Sequence, residues 1–199
     1  MSLTRKGAAT RRRIVEGAAG QIREQGVFAL RLEDVMARTA TSKSQLFHYF
    51  PGGKDELLLA VARHEARRVL DDQQPELGAL SSWQAWERWR DKVLARYRAQ
   101  GVDCPLHVAL SELAGAGEAA RAVAGELLAQ WQAQLAAGVR RMQDAGEVDP
   151  GLDAGREAAA LLAGVQGGVL ILMTTGSDVH LEAALDSGLA RLRGARPAP

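Results

Sequence analysis

The sequence predicts an all-α protein of about nine helices: a three-helix helix-turn-helix domain at the amino terminus, then a larger helical body. Three observations predict it. Apolar residues recur at helical spacing in one segment after another along the 199 residues. The stretch Ser42 to Lys54 reads as one short helix with a hard stop, too short to stand without bracing neighbours. Charge is divided: residues 1–54 hold 10 Lys and Arg against 4 Asp and Glu, which leaves residues 55–199 with 15 of the total 25 against 20 of the total 24. A basic quarter on an acidic body, beneath a net charge of only +1, is the electrostatic footprint of a nucleic-acid module attached to a second module. The expected boundary places one domain at 1–54 and the other at 55–199.

Composition sets the bounds. With 47% hydrophobic residues the chain can bury a large core. A lone Cys104 excludes a disulfide framework within the chain and suits a reducing cytoplasm. Met-Ser-Leu-Thr-Arg-Lys has no apolar core behind it and is no signal peptide. The longest apolar run, 158–174, is interrupted by Gly164, Gln166, Gly167 and Gly168. It falls short of the roughly 20 residues of a membrane span, so a soluble cytoplasmic protein is expected.

Residues 1–13 carry five cations and no anion, and read either as a disordered tail or as an arm along DNA phosphates. From Thr10, a candidate cap, Ile14, Val15, Ala18, Ala19 and Ile22 define the first helix, which Gly26 closes. Val27 and Phe28 then turn the chain inward. Leu32, Val35, Met36 and Thr39 give a short second helix, with Glu33 and Asp34 suited to its first turn. Ala40-Thr41 connects it to the third.

That third helix opens on a capping box, Ser42 with Gln45 three residues on, and ends at Pro51-Gly52-Gly53. Leu46 and Phe50 share one face; Ser44, Gln45 and His48 share the other, with Phe47 and Tyr49 on the flanks. The outward groups are hydroxyls, an amide, an imidazole, a phenol and the Lys43 cation, with no carboxylate to repel phosphate. Gln pairs bidentately with adenine, and Ser bonds several base edges. Lys54 stands at the positive end of the next helix, a poor place for a cation unless an anion lies nearby. The alternative is that Lys54 is solvated or pairs with Asp55 or Glu56.

Thr-x-x-x-Ile-Val-x-x-Ala in the first helix, Leu-x-Asp-Val in the second and Ser-Lys-Ser-Gln-Leu-Phe-His-Tyr-Phe in the third, with a Lys opening the next, resemble the TetR family of transcriptional regulators over residues 10–62. Pro-Gly-Gly-Lys-Asp-Glu-Leu and Asp-Cys-Pro-Leu-x-x-x-Leu-Ser-Glu-Leu look like the branch named for LmrA and YxaF. The chain departs from the family pattern at Ala40, where Gly is usual, at Phe47, where Tyr is usual, and at Leu30 and Arg31, where Ser or Thr is usual. The resemblance implies a double-stranded DNA operator contacted by Arg31, Ser42, Lys43, Ser44, Gln45, Phe47, His48, Tyr49 and Lys54. Base reading falls to Ser44 and Gln45, and Arg31 replaces a lost hydroxyl contact to phosphate.

After Asp55 a longer helix runs to about Gln73. In the family this helix links the two domains, and its shift on ligand binding carries the signal. Ser81 with Gln84 is a second capping box. It opens a helix whose Trp83, Trp86, Trp89, Val93, Leu94 and Tyr97 lie on one apolar stripe, compatible with core packing or with a pocket wall. Asp103-Cys104-Pro105 starts a helix through Leu106, Leu110 and Leu113. Cys104 reads as a small packed residue, or as a thiol with a lowered pKa. Val123, Leu127, Trp131, Leu135, Val139 and Met142 form the next apolar line. A pocket among these elements is expected to use Trp83, Trp86, Tyr97, Cys104, Leu110 and Trp131 as walls, with Arg90, His107 and Gln166 as polar contacts. Its expected ligand is a small hydrophobic or aromatic effector.

Asp153 caps a helix over 154–175 that is apolar around most of its circumference, with glycines that admit another backbone. With Leu181, Ala184, Leu185, Leu189 and Leu192 of the last helix it suits a four-helix bundle across a two-fold axis. Family resemblance implies the same, a homodimer through Leu161, Gly164, Gly168, Leu172, Leu185 and Leu189. An enzyme is the competing reading, but CxxC, HExxH, GxSxG and a complete P-loop are all missing. His48, His64, His107 and His180 lack metal-ligand spacing, so neither metal nor cofactor is expected. A ligand-free architectural protein is the third reading.

Overall fold

The computed structural model describes residues 4–26, 28–100 and 118–194. These form eight α-helices and no strand: α1 (Arg5–Gln25), α2 (Leu32–Arg38), α3 (Lys43–Tyr49), α4 (Gly53–Asp71), α5 (Trp83–Gln100), α6 (Glu118–Asp144), α7 (Ala154–Thr175) and α8 (Val179–Gly194). The expected helix from Cys104 to Leu113 lies outside the described residues. Contacts divide the chain into two compact units. One holds the described residues up to Arg68 with α6 up to Gly125; the other holds Val69 to 100 with Glu126 to 194.

In the first unit α1 starts at Arg5, not at Thr10, so residues 5–13 are helical rather than a disordered tail. Thr4 is the cap, its Oγ1 accepting the Gly7 N–H at 3.1 Å. Arg, Lys and Ala at positions 5, 6, 8 and 9 are strong helix formers. Gly26, at φ 80°, ends the helix, and its N–H reaches the Ile22 carbonyl at 2.9 Å. Ile14, Val15, Ala18, Ala19 and Ile22 are buried as their spacing predicts. Phe28 is not turned inward but is 88% exposed; Leu30, two residues later, is the buried one.

Val35 of α2, Leu46 and Phe50 from the third-helix segment, and Leu57, Val61 and Ala62 of α4 complete that core. The turn between α2 and α3 is held internally. Thr39 Oγ1 lies 2.7 Å from the Val35 carbonyl and 2.9 Å from Thr41 Oγ1. Ala40 at its centre has φ +46°, the left-handed region in which glycine is at ease. A buried carboxylate pins α4 to α1, Glu65 meeting Arg23 at 2.8 Å.

In the second unit α5 is capped by Ser82 rather than Ser81: Ser82 Oγ accepts the Ala85 N–H at 3.3 Å. Trp86 and Trp89 are fully buried and meet edge to face at 5.8 Å. Trp89 Nε1 donates to Gln73 Oε1 at 2.8 Å, so that indole is satisfied. Trp131, Leu135, Val139 and Met142 of α6 are buried as one line.

α7 and α8 pack as a close antiparallel pair. An ideal Cβ built on Gly168 would fall 2.5 Å from Leu181 Cα, so only glycine admits the neighbouring backbone there. Arg90 of α5 ties in α8, meeting Asp186 and Glu182 at 2.8 Å each. At 22 residues with mean hydropathy 1.7, α7 is by length and composition long enough to cross a bilayer, which corrects the expectation that it falls short. Here Leu161, Leu162, Val165, Val169 and Leu172 are buried within the chain.

Candidate functional site

The third-helix capping box is complete. Ser42 Oγ accepts the Gln45 N–H at 3.2 Å, and Gln45 Oε1 accepts the Ser42 N–H at 3.1 Å. Leu46 and Phe50 are fully buried beneath it, so the helix is clamped by its own cap and by two apolar anchors. Ser42, Lys43, Ser44, Gln45, Phe47 and His48 are exposed together, and Tyr49 is half-buried with its ring 4.9 Å from His48. The outward face therefore carries one cation, hydroxyls, an amide and two aromatic edges, and no carboxylate. Oε1 of Gln45 is committed to the cap. Its amide NH2 is not used by the cap.

Arg31 occupies the α2 cap position without a side-chain capping bond and is exposed. Lys54 is exposed in the first turn of α4 and has no ion-pair partner among the described residues. Glu56, the nearby alternative, instead accepts the Gly52 N–H at 2.8 Å. Each DNA-facing candidate thus lies exposed or half-buried at a helix start or on α3.

In the second unit the residues read as a pocket divide. Trp86, Trp131 and Tyr97 are buried, and the indole N–H groups of Trp86 and Trp131 are buried without a hydrogen-bond partner among the described residues. An unsatisfied buried donor costs about 1–3 kcal/mol. Trp83 lies at the rim, donating to Glu147 at 3.0 Å beneath the Arg193 guanidinium. Arg90 is consumed by Asp186, Asp91 and Glu182, with the Asp186 bonds foremost in pushing its pKa up. It borders an outer cleft of about 520 Å³ with Glu87, Asp186 and Arg193. Gln166 is half-buried on α7. Cys104, His107 and Leu110 lie outside the described residues.

The residues expected at a dimer face are mostly spent within the chain. Leu161, Gly168, Leu172, Leu185 and Leu189 are buried between α7 and its neighbours, and Gly164 stands 3.3 Å from Ala184 by an ideal Cβ. What faces outward is a different stripe: Ala160, Ala163, Gly167, Leu170 and Thr174 on α7, with Leu170 52% exposed. Its steps of three and four were visible in the sequence, but apolarity alone favoured the larger residues. Beside it a groove of about 270 Å³ runs between α7 and α8, bordered by Ala160, Gly164, Ser187 and Arg191.

Two family models match the chain: one described as bacterial regulatory proteins, tetR family, over residues 14–61, and one described as tetracyclin repressor-like, C-terminal domain, over residues 81–187. An uncharacterized HTH-type transcriptional regulator of Mycobacterium tuberculosis is 36% identical over 59 residues. That match spans 30% of this chain and 30% of the relative's length. Among solved structures, a TetR transcriptional regulator from Chloroflexus aurantiacus aligns with TM-score 0.77 at 23% identity, covering 98% of this chain and 100% of the other. A TetR transcription regulator from Haloarcula marismortui aligns with TM-score 0.78 at 18% identity, covering 96% and 100%. At those identities the structures speak for the fold.

Proposed function

The chain belongs to the TetR family of bacterial regulatory proteins, a DNA-binding transcriptional regulator, and from that premise we propose that it is a homodimeric repressor released from a palindromic operator by a small hydrophobic or aromatic effector. The observation that carries the reading is the capped, doubly anchored α3, which holds Ser44, Gln45 and His48 exposed with Lys43 and Tyr49 beside them. Residues 1–54 are the DNA-binding domain and residues 55–199 the effector and dimerisation domain. The motifs beginning at Pro51 and Asp103 favour the LmrA and YxaF branch. No catalysis is assigned to it, and its place is the cytoplasm.

One recognition helix per subunit enters successive major grooves. Ser44 and Gln45 read base edges while Arg31, Lys43, Tyr49 and Lys54 hold phosphates. The stripe from Ala160 to Thr174 and the groove beside it are the surface proposed to meet the second subunit, closing a four-helix bundle. The effector lies among Trp86, Tyr97 and Trp131, where the two unpaired indole donors favour a flat, apolar compound with hydrogen-bond acceptors. It releases DNA only if it binds a conformation whose recognition helices no longer match the groove spacing. α4 is continuous from Gly53 to Asp71 and is the element that would carry this change.

The test is a titration with hydrophobic aromatic compounds, following Trp fluorescence and operator anisotropy together. Quenching and loss of operator affinity should run in parallel, with Trp86→Ala reducing the ligand response more than DNA binding. Compounds that quench but leave affinity untouched would leave a DNA-binding dimer with a merely packed core.

A further inference from the structure

The chain just beyond α4 is gripped by polar side chains of the second unit. Trp89, Lys92 and Arg96, spaced by three and four, share one face of α5. Arg96 Nε donates to Asp72 at 3.1 Å and Trp89 Nε1 to Gln73 at 2.8 Å, while Lys92 donates to the Gln74 carbonyl and to Glu76, the latter at 2.6 Å. From α6, Gln134 accepts the Gln74 amide at 2.9 Å.

Gln73 is the buried member of this set, 1% exposed. Its amide is used at both ends: Oε1 accepts the Trp89 indole, and Nε2 donates to the Val69 carbonyl at 2.7 Å. Val69 lies in the last turn of α4, where carbonyls lack partners within the helix. The Leu70 and Asp71 carbonyls take the backbone N–H groups of Gln73 and Gln74 at 3.2 and 3.0 Å. One side chain thus caps α4 and fixes the indole of Trp89, which itself meets Trp86 edge to face.

Such a link resists sliding. Apolar contact is non-directional, whereas a hydrogen bond weakens steeply with angle and distance. A shift of the last turn of α4 therefore cannot be absorbed at Gln73 without turning the Trp89 ring or leaving its buried N–H unpaired. The end of α4 and the tryptophan pair move together or lose a bond.

We propose that Gln73 is a positioning residue that couples α4 to the tryptophan core, so that operator binding changes the environment of the Trp89 indole and an occupant of the core acts on α4 through the same bond. The inference rests on the proposed function and names the bond through which its two halves communicate. Coupling is reciprocal: if an effector in the core lowers operator affinity, the operator must alter the core. Operator DNA alone is therefore a sufficient probe.

The test records the indole N–H resonances of the full chain, assigned by substituting each tryptophan singly, with and without the duplex selected from a random pool. In the wild type the duplex should shift the Trp89 resonance. Gln73→Met, which keeps an unbranched side chain but has no amide, should still bind the duplex and show no duplex-dependent shift. Trp89→Phe removes the bond from the other side and should abolish the duplex-dependent shift of Trp86; it decides the matter if melting shows Gln73→Met to be unfolded. A cap with no coupling role would lower the melting temperature of Gln73→Met without any duplex-dependent shift in the wild type. Wild-type protein that binds the duplex with an unmoved Trp89 resonance, or a folded variant that keeps the wild-type response, would overturn the coupling and leave DNA binding standing. Wild-type protein that selected and bound no duplex would overturn both.

Discussion

Gln45 and Ser42 hold each other: Gln45 Oε1 accepts the Ser42 N–H at 3.1 Å and Ser42 Oγ accepts the Gln45 N–H at 3.2 Å. The side chain proposed to read bases also closes its own helix. A bidentate pair with adenine needs both ends of the amide, whereas the cap leaves only the NH2. Gln45 should therefore read as a donor, toward purine N7 or guanine O6. Gln45→Ala should relax preference at one or two base pairs by about 1–3 kcal/mol. Gln45→Glu, which keeps the capping box but has no donor, should shift preference toward cytosine, an N4–H donor. Binding to singly substituted duplexes checks both, and an unchanged preference in Gln45→Ala would contradict the assigned helix face.

Ala40 sits at φ +46° in the turn between α2 and α3. A left-handed conformation costs a residue with a Cβ roughly 1–2 kcal/mol, partly offset by the greater freedom glycine loses on folding. Ala40→Gly should raise stability by about 0.5–1 kcal/mol with an unchanged denaturant slope. A lower midpoint would show that the turn is not strained.

Two adjacent glycines of α7 should behave oppositely. Gly168 receives the α8 backbone at 2.5 Å from its ideal Cβ, so Gly168→Ala should cost at least about 1–3 kcal/mol of unfolding free energy. Gly167 has nothing within 4 Å. Gly167→Glu and Leu170→Glu should leave helicity unchanged yet weaken self-association tenfold or more, read by sedimentation. Dimers of undiminished affinity in both would move the interface elsewhere.

Acid should weaken the fold in two steps. Burial holds the His64 pKa below its ordinary 6.5, so protonation favours the unfolded chain, and stability falls as pH drops through that value. Arg191 then holds the Glu157 carboxyl below 4.5, and Arg98 does the same for Asp178 below 3.8. Their contribution is present above those values and lost as pH falls through the lowered ones. Melting temperature against pH should lose its upper step in His64→Gln and part of its lower step in Glu157→Gln.

What was legible in the sequence was local. The Ser42 cap, the Leu46 and Phe50 anchors and the Trp86 to Tyr97 stripe each follow from residues within a few turns of one another. The α1 start is hard to see because five cations with no anion mask the helix signal, while Thr4 and the alanines supply a cap and helix propensity. Adjacent Ser81 and Ser82 both fit a cap pattern, and Gln84 favoured the wrong one. Apolarity alone does not say which neighbour covers Leu172 and Leu185; within the chain α7 and α8 cover each other.

Selection of bound duplexes from a random pool by the wild-type chain measures the central claim most directly. A symmetric DNA-binding dimer should enrich an inverted repeat whose half-sites lie about one helical turn or somewhat more apart. A single asymmetric site, or a pool with no enrichment, would contradict it.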